Sequence, residues 1–118
     1  MKNILLILLI IFSLQKSFSQ TVPLDSVGKY DGKTITICGK VQGTYVSKGE
    51  KKITYLDFGK PYPNAVLRVV IFEGDWVNFK YTPSEFLKNK NVCITGKVKI
   101  YKGKPEMIIE KEEQVKIE

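Results

Sequence analysis

From residue 33 onward the chain falls into five runs in which apolar and polar positions alternate with a period of two, the signature of half-buried β-strands. The first run, Thr34-Ile35-Thr36-Ile37-Cys38, puts Ile35 and Ile37 on one face and Thr36 and Cys38 on the other. It passes Gly39 and continues through Val41 to Tyr45 and Val46, which predicts one long, bent strand. After a polar turn over residues 47–52, Ile53–Phe58 is the second strand. Residues 59–64 break it, because Pro61 and Pro63 cannot donate to a ladder. Residues 66–72 form a nearly all-apolar third strand, with Leu67, Val69 and Ile71 inward and Arg68, Val70 and Phe72 outward. A helix start follows at Thr82-Pro83-Ser84-Glu85: Thr82 can cap, Pro83 suits the first helical position and Glu85 can complete a capping box. Phe86 and Leu87 supply its buried side and Asn89 a left-handed stop. The fourth strand, Asn91–Tyr101, turns at residues 102–105 into a fifth over residues 106–110.

Two of these strands repeat a phrase. Ile37-Cys38-Gly39-Lys40-Val41 and Ile94-Thr95-Gly96-Lys97-Val98 each follow a short polar step, Gly32-Lys33 or Asn89-Lys90. A glycine inside an otherwise β-branched strand predicts a bend or bulge. Three strands, a short helix and two strands is the order of the oligonucleotide/oligosaccharide-binding (OB) fold. We therefore expect an all-β domain with small helical content, a five-stranded OB-fold barrel with a short helix between strands three and four. In that fold the first and fourth strands are neighbours, which makes the repeated phrase architectural.

The ends of the chain have a different character. Lys2, an apolar run from Ile4 to Phe12 and the small residues Ser17 and Ser19 read as a secretory signal peptide over residues 1–19, too short to span a bilayer. Residues 20–32 are a lead-in with a short helical turn near residues 23–30, residues 33–110 the OB-fold domain, and residues 111–118 a charged tail in which Val115 and Ile117 can extend a pairing. Cleavage after Ser19 removes Lys2 and Lys16 and no acidic residue, so a formal charge of +7 becomes +5. We expect no stable membrane anchor after cleavage and a periplasmic or secreted location. In an oxidising compartment Cys38 and Cys93, both off the core face, either meet as a disulfide across neighbouring strands or stay as two thiols without a role.

Arg68 is the only arginine among 19 basic residues. Lysine-rich surfaces favour loosely directed contact with phosphate over bidentate base reading, and they also simply solubilise exported proteins. The chain has no histidine for acid–base work and no glycine-rich phosphate cradle. Asp57, Glu73 and Asp75 are too few to equip a metal nuclease with a single arginine, so we expect a non-enzyme without cofactor or metal.

The usual OB-fold ligand platform is the exposed face of strands two and three, flanked by the loops between strands one and two and strands four and five. On that face we select Tyr55, Arg68 and Phe72, with Lys51, Lys52, Lys102 and Lys104 in the flanking loops as phosphate partners. Packing at a barrel rim and simple solvation are the competing roles. Tyr45 and Tyr101 lie near the loop ends, and Trp76 and Phe79 suit plugging the barrel's end.

The stretch Tyr55-Leu56-Asp57-Phe58-Gly59-Lys60-Pro61-Tyr62-Pro63-Asn64, then Val69-Val70-Ile71-Phe72, and Val92-Cys93-Ile94-Thr95-Gly96-Lys97-Val98 with Tyr101-Lys102-Gly103-Lys104-Pro105 resemble a family of bacterial OB-fold modules. Those modules occur in exported proteins, some fused to extracellular nucleases, and are generally taken to bind nucleic acid. The likeness runs over about residues 33–109. Where family members often carry Asn, this chain has Asp57, a negative charge near the presumed face. The resemblance implies single-stranded DNA or RNA as partner, bound with little sequence preference, and a nuclease as a possible companion. The alternative is an envelope module that binds a protein, a peptide or a small anionic ligand.

Overall fold

The computed structural model describes residues 20–118, so the expected signal peptide lies outside the described residues. Seven strands alternate with short helical turns: β1 (Gln20–Thr21), β2 (Thr34–Val46), β3 (Ile53–Phe58), β4 (Leu67–Phe72), β5 (Asn91–Tyr101), β6 (Lys104–Ile108) and β7 (Val115–Ile117). A single α-helical turn, α1 (Pro83–Phe86), stands between β4 and β5, and 3-10 turns cover Leu24–Tyr30, Glu73–Asn78 and Glu112–Gln114. No described helix is long and apolar enough to cross a membrane.

Five strands close on themselves. β2 pairs with β3, β3 with β4, β4 with β6 in parallel, β6 with β5, and β5 returns to β2. This is the expected five-strand order with its helix in the expected gap. The count of five is corrected to seven, because both flanks of the β2–β5 pair are extended: β1 runs parallel to β2 at Ile35 and Thr36, and β7 pairs with β5 at residues 92–94. β1, at two residues, is too short to show a period, while β7 is the pairing that the alternation of Val115 and Ile117 allowed for.

The alternation does what its chemistry requires. Ile35, Ile37, Leu56, Phe58, Leu67, Val69, Ile71, Ile94 and Val98 turn inward and are at most 1% exposed; their alternates lie on the other side, where Val70, expected to be outward, and Asp57 are nonetheless covered and only 2% exposed. Leu87, fully buried just after α1, joins the core with Phe79, and Trp76 packs against it, whereas Phe86, expected on the buried side of the helix, is 39% exposed. In the N-terminal segment, Val27 is buried and Tyr30 packs against the same core.

Several local expectations change. The Thr82 side chain makes no capping bond, so Pro83 and the backbone carbonyl of Thr82, which accepts from Phe86, start the helical turn. Asn89 does take the left-handed conformation, φ 65°. The last ring strand begins at Lys104, two residues earlier than expected, because Lys102 (φ 51°) and Gly103 (φ 80°) make a two-residue turn of the kind that matches strand twist.

The repeated phrase meets a sharper correction. The register slips between Val41 and Gly43, so the bend of β2 lies beyond Gly39, and Gly96 sits in unbroken register opposite Ile35. Gly96 is needed for another reason: a Cβ there would lie 2.7 Å from Met107 Cγ and 2.9 Å from its sulfur. At Gly39 a Cβ would approach Phe58 no closer than 3.5 Å. The two glycines look alike in sequence and differ in necessity.

Cys38 and Cys93 are directly opposed in the β2–β5 register and joined by a disulfide, S–S 2.03 Å, with Cα atoms 4.0 Å apart. Beside it on the same face, the hydroxyls of Thr36 and Thr95 share a hydrogen bond of 2.7 Å. The outward thiols of the alternation pattern thus staple the strand pair that carries the repeat.

Candidate nucleic-acid interface

The outer face of β3 and β4 carries a contiguous set of aromatic and charged groups. Tyr55 opposes Val70, and Asp57 opposes Arg68, so alternation turns Tyr55, Asp57 and Arg68 to the same side. Arg68 spans the strands with a two-pronged ion pair: Nε donates to Asp57 Oδ1 at 2.8 Å and Nη2 to Oδ2 at 3.2 Å. The guanidinium carbon lies 4.0 Å from the Tyr55 ring centroid and 4.6 Å from that of Tyr62. Arginine's flat, weakly hydrated cation suits such a position between rings. Tyr45, on β2, extends the row; its ring is nearly parallel to Tyr55, at 14° and 6.3 Å between centroids.

Electrostatics explains how a charge sits there. Burial alone would lower the Arg68 pKa, but the hydrogen bond and negative charge of Asp57 outweigh it and hold the guanidinium charged, with a pKa above its ordinary value. Asp57 itself is 2% exposed. Glu106, flanked by Arg68 on one neighbouring strand and Lys99 on the other, shows the reverse balance: burial raises its pKa, and the two cations only partly offset this.

Tyr55, Arg68 and Tyr62 form a ridge between two open pockets. One, about 570 Å³, is walled by Tyr45, Thr44, Pro61 and Asp57. The other, about 400 Å³, is walled by Tyr101, Lys102, Lys104 and Glu106. The Lys102 ammonium also lies 5.3 Å from the Tyr101 ring, and Lys104 donates to the Pro63 carbonyl at 2.9 Å, which ties the β5–β6 turn to the loop carrying Tyr62.

Of the residues selected from sequence, the structure brings Tyr55, Arg68, Lys102 and Lys104 together. Lys52 lines a third pocket, with Trp76, Phe79 and Tyr81, on the opposite face of the β2–β3 hairpin. Lys51 is exposed in the β2–β3 loop, and Phe72, 42% exposed at the far end of β4, lines none of these pockets. Tyr62 and the Asp57–Arg68 pair are not among the residues selected from sequence. The pair was visible in principle, as two outward charges of opposite sign on adjacent strands; nothing in the proline-flanked loop announces Tyr62. Among the described residues the one grouping of metal-ligand types is Cys38, Cys93 and Glu118, whose sulfurs are already spent on each other.

No protein-family model matches the sequence, and no curated protein sequence matches it. Similarity appears in three dimensions. The chain is similar to yeast Stn1 and Ten1 at a TM-score of 0.61 and 11% identity, over 86% of this chain and 64% of that one, so it spans less than two-thirds of that structure. It is similar also to OBody AM1L10 bound to hen egg-white lysozyme, at a TM-score of 0.55 and 14% identity, over 88% of this chain and 98% of that one. A second such structure, OBody AM3L15 bound to hen egg-white lysozyme, gives a TM-score of 0.55 and 15% identity. With the closed five-strand order, these likenesses define the fold class as OB.

Proposed function

We propose that this protein is an exported, non-catalytic OB-fold barrel module that binds single-stranded nucleic acid with little sequence preference. The observation that carries the reading is the row Tyr45, Tyr55, Arg68, Tyr62 on the β3–β4 face, with Lys102 and Lys104 at its rim. Rings that stack on any base, beside lysines that meet any phosphate, favour single strands without reading their order. The disulfide and the apolar N-terminal run support export into an oxidising compartment.

The experiment is a titration of fluorescein-labelled oligo(dT) and oligo(U) at several salt concentrations. Binding should weaken steeply as salt rises, because each neutralised phosphate releases counterion. K102E/K104E should lose more affinity than K51E/K52E, since only the first pair borders the ridge. No binding at low salt, or binding indifferent to Lys102 and Lys104, removes the reading.

A protein or peptide partner is the second reading. It is favoured by the Arg68–Asp57 pair, which leaves the centre of the face without net charge, and by an OB-fold likeness in which OBodies are bound to lysozyme. Salt separates the two, because an apolar or aromatic contact is far less sensitive to it.

A further inference from the structure

We propose that the ridge accepts two adjacent bases, one in each flanking pocket, and that Asp57 is a positioning residue that keeps Arg68 as a stacking surface and withholds its charge from the ligand. This deepens the nucleic-acid reading and rests on it.

Tyr55, Arg68 and Tyr62 line both pockets, so each pocket is bounded by the same planar wall. Both volumes, about 570 and about 400 Å³, lie within the range of small-molecule sites, about 300–1,000 Å³. Each has a second ring available on its outer side, Tyr45 in the larger and Tyr101 in the smaller, about half exposed in both cases. A planar base entering either pocket meets rings; a strand crossing the ridge delivers consecutive bases to the two sides.

The charges, however, are one-sided. The larger pocket holds the Asp57–Arg68 pair, whose two ion-pair hydrogen bonds cancel its net charge, and no lysine. The smaller holds Lys102 and Lys104, with Glu106 set against them. The phosphate is therefore met on the Tyr101 side, and the Tyr45 side is a stacking site. Because its guanidinium is committed to Asp57 while lying over two rings, Arg68 fills the ridge as a flat spacer. A free arginine in the same place would instead seek phosphate.

Two measurements test this on the purified protein. The first compares labelled oligo(dT) of one, two and four nucleotides. Affinity should rise about tenfold or more from one nucleotide to two, in keeping with the stacking of an additional base, and Tyr45→Ala should remove most of that gain. Equal affinity for one and two nucleotides overturns the two-pocket arrangement. The second follows the slope of log affinity against log salt for the four-nucleotide probe. Asp57→Asn, which frees Arg68, should steepen that slope by about 0.7, the value of one further phosphate contact on a single strand. The double variant D57N/R68Q replaces a neutral pair by a neutral pair and leaves no unpaired charge at the buried position of Asp57. It should bind several-fold more weakly with the wild-type slope. A slope that falls by about 0.7 in the double variant means Arg68 was contacting phosphate all along and overturns the assignment to Asp57. Absence of any binding by the wild-type protein at low salt removes the nucleic-acid reading and this inference with it, whereas normal wild-type binding with these variant results reversed removes the inference alone.

Discussion

At the scale of single residues, the twin glycines offer the cleanest separation of likeness from necessity. Gly96→Ala would push its Cβ into Met107, a fully buried side chain, and should destabilise the protein by about 1–3 kcal/mol, the range for overpacking a filled core. Gly39→Ala meets only ordinary contact with Phe58 and should escape that penalty. Denaturant midpoints of the two variants, compared at equal slope, decide it; similar losses at both positions would refute the distinction. Glu106 makes a second prediction. An acid whose pKa is raised on folding binds more protons when folded, so its contribution favours the folded state at low pH and is lost as pH rises from about 4.5 through the raised value. Glu106→Gln cannot ionise and should flatten that decline, measured as stability across the mildly acidic range. A decline of unchanged depth would show that another group is responsible.

Elements carry the next order of effect. The β2–β5 pair holds the ring closed, and its disulfide links residues separated by 55 positions. In the chain-entropy view, removing such a closure with C38S/C93S costs about 4 kcal/mol, nearly all of it felt in the unfolded chain. The loss should appear as a lower denaturant midpoint with the ring's circular dichroism retained in water; an unshifted midpoint would contradict it. The strands themselves were legible, and for a definite reason: Ile53–Phe58 and Asn91–Tyr101 must bury every second side chain, so their bounds show in the alternation. The capping expectation failed because Thr82, though correctly placed, makes no side-chain capping bond, and its backbone carbonyl and Pro83 start the turn instead. β1 was hidden by length, whereas the alternation of Val115 and Ile117 announced the pairing that β7 makes, and Lys104 was assigned to a turn because its glycine neighbour was read as part of a longer one.

For the whole molecule, the alternation places Tyr55 and Arg68 on one side of the sheet but does not show what organises them. Tyr55 and Arg68 followed from alternation along single strands. Their arrangement depends on Asp57 across the ladder and Tyr62 from a loop, contacts that only tertiary structure creates. Lys52 illustrates the converse: its place in a flanking loop suggested the platform, yet the hairpin turns it toward Trp76 on the other face. Charge behaves similarly. A formal +7 is a property of the chain, but the unpaired positive charge beside the ridge is that of Lys102 and Lys104, because Arg68 is neutralised locally.

Ring closure also sets how the molecule comes into being. β2 must find β5, and β4 must find β6 in parallel, across long intervals of chain, and no hairpin alone can bury the shared core. Chains dominated by such distant pairings fold on the scale of milliseconds to seconds, well behind helical bundles of equal size. A bond already linking Cys38 to Cys93 brings the two most distant partners within reach before the search begins. The staple that steadies the finished ring is thus also a shortcut to it, and the oxidised chain should refold faster than the reduced one wherever the β2–β5 encounter belongs to the folding nucleus.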